Sequence, residues 1–198
     1  TKKYFTQIVS VVYRLCGINL PAGKEELVKV RLSKRLRALG LNRFEDYLAL
    51  VERDAEELAL MIDALTTNKT SFFRESQHFD YLREHIVPEL RATQRRIRIW
   101  SAGCSSGEEP FTLAIILKEE IPDVEQKDVR ILATDLSMKM VARAREAVYD
   151  EETLRDMPQR LVKKYFTPVT SNKSPAYRVN DSLRALVKIA QLNLIEPW

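Results

Sequence analysis

The segment 97–110, Ile-Arg-Ile-Trp followed by Ser101-Ala102-Gly103-Cys104-Ser105-Ser106-Gly107-Glu108-Glu109-Pro110, constrains the fold of this chain more than any other. A short strand-forming run ends in a turn holding two of the five glycines, and Glu108-Glu109-Pro110 then opens an apolar helix running to residue 121. Proline in a first helical turn loses no hydrogen bond, and acidic side chains there face the positive end of the helix dipole. The pattern then recurs. Residues 129–133 read as a strand ending at Thr134-Asp135, a helix follows Ser137 to about residue 147, and residues 186–192 read as a third strand ending at Asn193-Leu194. Strand, helix, strand, helix, strand is the order of a parallel sheet with crossover helices.

The first third has a different period. Val28, Leu32, Leu36 and Leu39 recur at helical spacing, as do Leu58, Met61, Ile62 and Leu65, so a small helical bundle is expected. Gly40 suits the end of one helix, and Asp54 followed by Glu57 is a capping-box pattern starting another. Residues 66–75 interrupt the helical pattern with short polar side chains that bond locally to backbone, then place Phe72 and Phe73 where burial is needed. A helix with Phe79, Leu82 and Ile86 on one side follows, with Pro88 near its end. The fold class is therefore α + α/β, and the expected boundary lies at 70/71.

Charge divides along the same lines. Residues 21–45 hold seven Lys/Arg against three Glu, a net of +4, whereas residues 46–65 hold one Arg against six acids, a net of −5. At 100° per residue, Lys34 and Arg37 point away from the Val28–Leu32–Leu36 stripe, with Arg31 on their flank. That cationic face is either a solvated surface or a docking site for an acidic partner. No apolar stretch has the length of a membrane span and no secretory signal is present, so a cytoplasmic protein without membrane insertion is expected. Cys16 and Cys104 are too few for a disulfide framework. His78 and His85 lack zinc-ligand spacing, so no metal is expected.

Ligands of parallel sheets bind beyond the carboxyl ends of the strands, where the Gly103–Glu108 cluster, Asp135 and Asn193 fall. A bare backbone at Gly103 and Gly107 allows close approach of a ligand, and an acid at the second strand end can accept ribose hydroxyls. Taken alone, the Gly-x-x-x-Gly turn also fits a tight bend that lets helix pack on strand, and Asp135 also fits a turn residue. Two glutamates open the helix where a dinucleotide pyrophosphate would need positive potential. They suit a cationic ligand, and S-adenosylmethionine, with its sulfonium and ammonium groups, satisfies them better than NAD.

Together, Thr66-Thr67-Asn68-x-Thr70-x-Phe72-Phe73-Arg74, the Trp100–Pro110 run, Ala133-Thr134-Asp135 and Asn193-Leu194 resemble the chemotaxis receptor methyltransferases, the CheR family. The resemblance implies a helical receptor-docking domain (1–70) and a Rossmann-like S-adenosylmethionine-dependent methyltransferase domain (71–198). The implied reaction methylates glutamate carboxylates of chemoreceptors, releasing S-adenosylhomocysteine. By motif position, Asn68, Thr70 and Arg74 contact the cofactor from the linker, with Arg74 near the transfer centre as the catalytic residue. Ala102 and Gly103 bind the cofactor from the turn, Glu108 holds its amino group, Asp135 the ribose, and Asn193 with Leu194 the adenine end. The bland reading of Arg74 is a clamp on the linker backbone or on the cofactor carboxylate. Cys104 is assigned no role. Arg31, Lys34, Arg35 and Arg37 become docking residues for the acidic methylation helices of chemoreceptors, and no nucleic acid is expected as partner.

The chain also departs from the family pattern. A Cys-Arg-Asn strand end, a nearby tyrosine, further strands and an inserted small β-subdomain are not found in it, so an incomplete Rossmann-like domain with exposed apolar surface is expected. Either the sequence is a fragment or self-association completes the sheet, and the alternative to turnover is a cofactor-binding regulatory module or an inactive fragment.

Overall fold

The computed structural model describes residues 2–92, 96–122, 124–170 and 175–197. They fall into two compact units, one of Thr1–Thr67, Leu136–Met138 and Leu192–Trp198, the other of Asn68–Asp135 and Lys139–Gln191.

The first unit is built from helices α1 (Lys2–Cys16), α2 (Glu25–Ala38), α3 (Phe44–Val51) and α4 (Ala55–Leu65). Val28, Leu32 and Leu36 bury the predicted stripe of α2 against Val12, Tyr47 and Met61. Helix α2 closes in a Schellman motif: Leu41 N–H donates to the Leu36 carbonyl (2.9 Å) and Gly40 N–H to Arg37 (3.2 Å). Leu39, expected on the core stripe, is instead the capping residue and is 39% exposed, because the helix has already ended at Ala38. Asp54 caps α4 as predicted, accepting from the Glu56 and Glu57 N–H groups at 2.9 and 3.0 Å. The reciprocal half of the capping box gives way to a stronger partner. Glu57 turns its carboxylate inward, where it is 4% exposed and binds Arg35 and Tyr47.

The second unit carries the predicted parallel sheet, β1 (Ile97–Ala102), β2 (Val129–Asp135) and β6 (Val187–Gln191), in the order β1-β2-β6. In register, Ala102 lies opposite Thr134 and Asp135 opposite Gln191, so the carboxyl ends of all three strands come level. Helix α7 (Glu108–Glu120) buries Phe111, Ala114, Ile115 and Leu117 in the unit's core, while α8 (Met138–Glu146) follows β2. On the sheet, the register partners Trp100 and Leu132 are 43% and 42% exposed.

Two features were not expected. The helix after the linker runs as α5 (Ser76–Tyr81), a π-turn over Leu82–Ile86, and α6 (Val87–Ala92). Pro88 has no N–H for the regular ladder, and the π-turn, closed by Val87 N–H on the Leu82 carbonyl, accommodates it. The inserted residue rotates the register, so Val87 is buried and Ile86 is 36% exposed. Secondly, a small three-stranded antiparallel sheet exists where the sequence showed none, with the segment 176–179 between 148–150 and 166–169. It consists of β3 (Val148–Asp150), β4 (Phe166–Val169) and β5 (Ala176–Val179), with short helices α9 (Glu151–Leu154) and α10 (Gln159–Tyr165) between β3 and β4. Helix α11 (Asp181–Arg184) then leads into β6.

Candidate functional site

In the second unit the turn between β1 and α7 is stitched to the end of β2. Gly103 and Cys104 both donate their N–H groups to the Thr134 carbonyl at 2.8 Å, and Ser105 N–H donates to Asp135 Oδ2 at 2.8 Å. The Ser105 hydroxyl donates to the Asn68 carbonyl at 2.9 Å, joining this turn to the linker. Phe73, Glu75 and Ser105 account for three of the four non-glycine residues at positive φ among the described residues (54°, 56° and 49°). Such conformations cost about 1–3 kcal/mol each and persist where surrounding contacts over-determine them. Both sides of this junction are thus held out of their preferred backbone geometry.

The two glycines serve different ends. No atom lies within 4 Å of where a Gly103 Cβ would project, so its exposed backbone is open to approach as predicted. At Gly107 the tight-bend reading prevails. Its φ is +100°, and a Cβ there would come within 2.9 Å of the Tyr149 hydroxyl and 3.1 Å of Ala144 Cβ.

Glu108 begins α7 only 5% exposed. Its two carboxylate oxygens accept from the Ser106 hydroxyl at 2.9 and 2.8 Å, and burial still pushes its pKa above the usual carboxylate range. Burial likewise pushes the Cys104 thiol up to about 12, with the Asp135 charge adding to it, so the thiol stays protonated. Among the described residues no group of three or more His, Cys, Asp or Glu could hold a metal ion.

The linker is ordered by burial. Phe72 packs edge-on against Tyr149 and Phe166, with ring centroids 5.0 and 5.5 Å away, and Phe73 N–H donates to Thr112 Oγ1 at 3.2 Å. Asn68 and Thr70 are half-buried and Arg74 is exposed. Arg74 Nη1 donates to the Lys69 carbonyl at 2.7 Å, the backbone clamp that was its bland reading. Asn193 and Leu194 belong to the first unit. There Asn193 Nδ2 donates to the Leu15 carbonyl and to Glu196 Oε1, both at 2.8 Å, and Leu194 is 53% exposed.

The four cationic residues of α2 expected to dock, Arg31, Lys34, Arg35 and Arg37, separate into two pairs. Arg31 Nη1 donates to the Leu65 and Thr66 carbonyls at 2.8 and 3.3 Å, closing the end of α4, and Arg35 is committed to Glu57. Lys34 and Arg37 are exposed, on the face opposite the buried stripe.

Sequence reasoning missed Tyr149, Ser106 and Thr112. Tyr149 comes from the unread small sheet, and all three act through backbone or hydroxyl hydrogen bonds that leave no spacing pattern.

Residues 68–198 match the description "CheR methyltransferase, SAM binding domain" and residues 3–66 "CheR methyltransferase, all-alpha domain". The chain is 40% identical to the chemotaxis protein methyltransferase of Borreliella burgdorferi, covering 99% of this chain and 71% of that protein. It is 40% identical to the probable chemotaxis protein methyltransferase of Rhizobium etli (95% and 72% covered). Identity to chemotaxis protein methyltransferase 2 of Pseudomonas aeruginosa is 41% (99% and 69% covered).

Proposed function

The chain belongs to the CheR methyltransferase family, and from that membership we infer an S-adenosylmethionine-dependent methyltransferase of chemotaxis that esterifies glutamate carboxylates on chemoreceptors. The observation that carries the reading is the buried Glu108 carboxylate at the head of α7, in the same turn that Ser105 ties to Asp135. A buried anion there repels a pyrophosphate and attracts an ammonium or sulfonium, so the donor set fits this cofactor and not a dinucleotide.

Bound S-adenosylmethionine supplies an activated methyl group on its sulfonium. We assign Glu108 to the ammonium group, Asp135 to the ribose hydroxyls, and Ala102 with Gly103 to the open wall of the turn. Asn68, Thr70 and Arg74 are assigned to contacts from the linker, and Asn193 with Leu194 to the adenine end. A glutamate substrate is already ionised at pH 7, so attack needs no general base. The exposure of His78 and His85 and the protonated Cys104 thiol agree with that economy. Arg74 is the proposed catalytic residue. While one N–H braces the linker, its exposed guanidinium can orient the attacking carboxylate, a gain through positioning.

Residues 1–70 are assigned to docking and 71–198 to catalysis. Lys34 and Arg37 meet the acidic receptor helices, whereas Arg31 and Arg35 hold α2 in place for them. Leu27 and Val30, 42% and 57% exposed, continue the outward stripe of α2, so the contact has an apolar end. The setting is the cytoplasm; no helix of the described residues is long and apolar enough to cross a membrane. The names of the relatives favour turnover over a silent cofactor-binding module.

Incubation with methyl-labelled S-adenosylmethionine and either an acidic receptor fragment or RNA tests the reading. The expected product is label on the receptor fragment that alkali releases as methanol. Alkali-stable label on RNA overturns it.

A further inference from the structure

A hydrogen-bond relay runs from the small antiparallel sheet to the buried carboxylate. Tyr149 lies at the centre of β3, opposite Tyr177 of β5, and is 5% exposed. Its hydroxyl donates to the Ser106 carbonyl at 2.8 Å, and the Ser106 hydroxyl donates to both oxygens of Glu108.

The reason for a phenol at this position is written in α7. Helix α7 has Gly107 as its N-cap, so the Ser106 carbonyl lies one residue outside the intrahelical ladder. The ladder starts at that cap, with Phe111 N–H on the Gly107 carbonyl at 3.2 Å. Tyr149 supplies the Ser106 carbonyl with a donor from outside the helix. Phenylalanine would fill the same space beside Phe72 and Phe111, so the hydroxyl is needed for the turn and not for packing. Burial, reinforced by the Glu108 charge, keeps the hydroxyl protonated and donating across the physiological range.

We propose that Tyr149 is a positioning residue for the cofactor: by holding the Ser106 carbonyl it fixes the Ser106–Gly107–Glu108 turn, and through the Ser106 hydroxyl it aims the Glu108 carboxylate at the cofactor's ammonium group. This rests on the assignment of Glu108 above. It makes the small sheet part of the cofactor site, although that sheet contributes no atom expected to touch the ligand.

The test measures binding of two ligands by calorimetry. S-adenosylhomocysteine carries the amino-acid end, whereas 5′-methylthioadenosine keeps the adenosine and thioether without it. Tyr149→Phe is expected to weaken S-adenosylhomocysteine about fivefold, the loss of one hydrogen bond's net worth, and to leave 5′-methylthioadenosine unchanged. Ser106→Ala, which cuts the relay without touching the core, is expected to show the same selectivity and serves if Tyr149→Phe folds poorly. Equal loss for both ligands, or none for either, overturns the proposal. Glu108→Gln separates the layers: if it leaves S-adenosylhomocysteine binding intact, the Glu108 assignment fails. If it weakens binding while Tyr149→Phe and Ser106→Ala do not, the positioning role alone fails.

Discussion

Arg35 and Glu57 meet in a two-pronged ion pair inside the first unit, with Nε to Oε1 at 2.9 Å and Nη2 to Oε2 at 2.6 Å. The Tyr47 hydroxyl donates to the same carboxylate at 2.8 Å. The pair pins α2 to α4, and Glu57 is sealed from water while the Arg35 side chain keeps 25% of its exposure. Arg35→Ala therefore strands a buried carboxylate and is expected to lower the unfolding free energy by about 3 kcal/mol, measured by urea denaturation. Arg35→Lys loses the fork and should recover only part of it.

Lys34 and Arg37 carry no such burden. Reversing both charges is expected to change stability by no more than about 0.5 kcal/mol. It should weaken binding to an acidic helical receptor fragment at low salt and flatten the salt dependence. Titration at two ionic strengths checks this, and unchanged low-salt affinity would remove docking from α2.

Glu108 gives cofactor binding a pH dependence of defined sign. Burial raises its pKa in the free protein, and a bound ammonium lowers it again, so the ligand favours the ionised form. S-adenosylhomocysteine affinity should be flat above the raised pKa and fall as the pH drops through it. Calorimetry between about pH 8 and pH 5 should show the decline in the parent protein and a weak, flatter profile in Glu108→Gln.

Acid stability has a separate source. Glu119 at the end of α7 accepts from Lys164 Nζ, the Tyr165 hydroxyl and Arg160 Nη1 at 2.6, 2.7 and 2.6 Å, with Lys164 the main reason its pKa falls from 4.5 to about 2. Because the folded-state value is depressed, the stabilisation is complete above the unfolded-state value near 4.5 and is lost as the pH falls towards 2. Glu119→Gln should lower the melting temperature at pH 7 and reduce its drop over that acidic interval.

Gly107→Ala forces a methyl group against the Tyr149 hydroxyl and Ala144 from a backbone that L-residues rarely adopt. A loss of about 2 kcal/mol is expected in denaturant titration, with S-adenosylhomocysteine binding lost in the same variant. Gly103→Ala, strained but unobstructed, should cost less stability.

What the sequence revealed was what is local. The strand–turn–helix from Ile97 to Glu120 was legible because glycine, glutamate and proline act within one turn of where they stand, as was the Asp54 cap. Glu57 was misread as the second half of that cap because its true partner, Arg35, lies 22 residues away. The small sheet escaped because its strands are three or four residues long, too short to show a period, and pair across distant segments. Tyr149 was missed with it, since a phenol bound to a carbonyl has no sequence signature. Ile86 was misplaced because nothing in helical periodicity announces a π-turn, although Pro88 was its cause.

Ser105 places two demands in opposition. Its φ of 49° suits glycine, yet its hydroxyl ties the turn to the Asn68 carbonyl. Ser105→Gly relieves the dihedral cost and keeps the N–H on Asp135, but it gives up the hydroxyl bond and enlarges the freedom of the unfolded chain, so gain and loss in stability offset each other. What the substitution changes is the coupling of turn to linker. Serine at this position thus exchanges backbone ease for a tie that glycine cannot make.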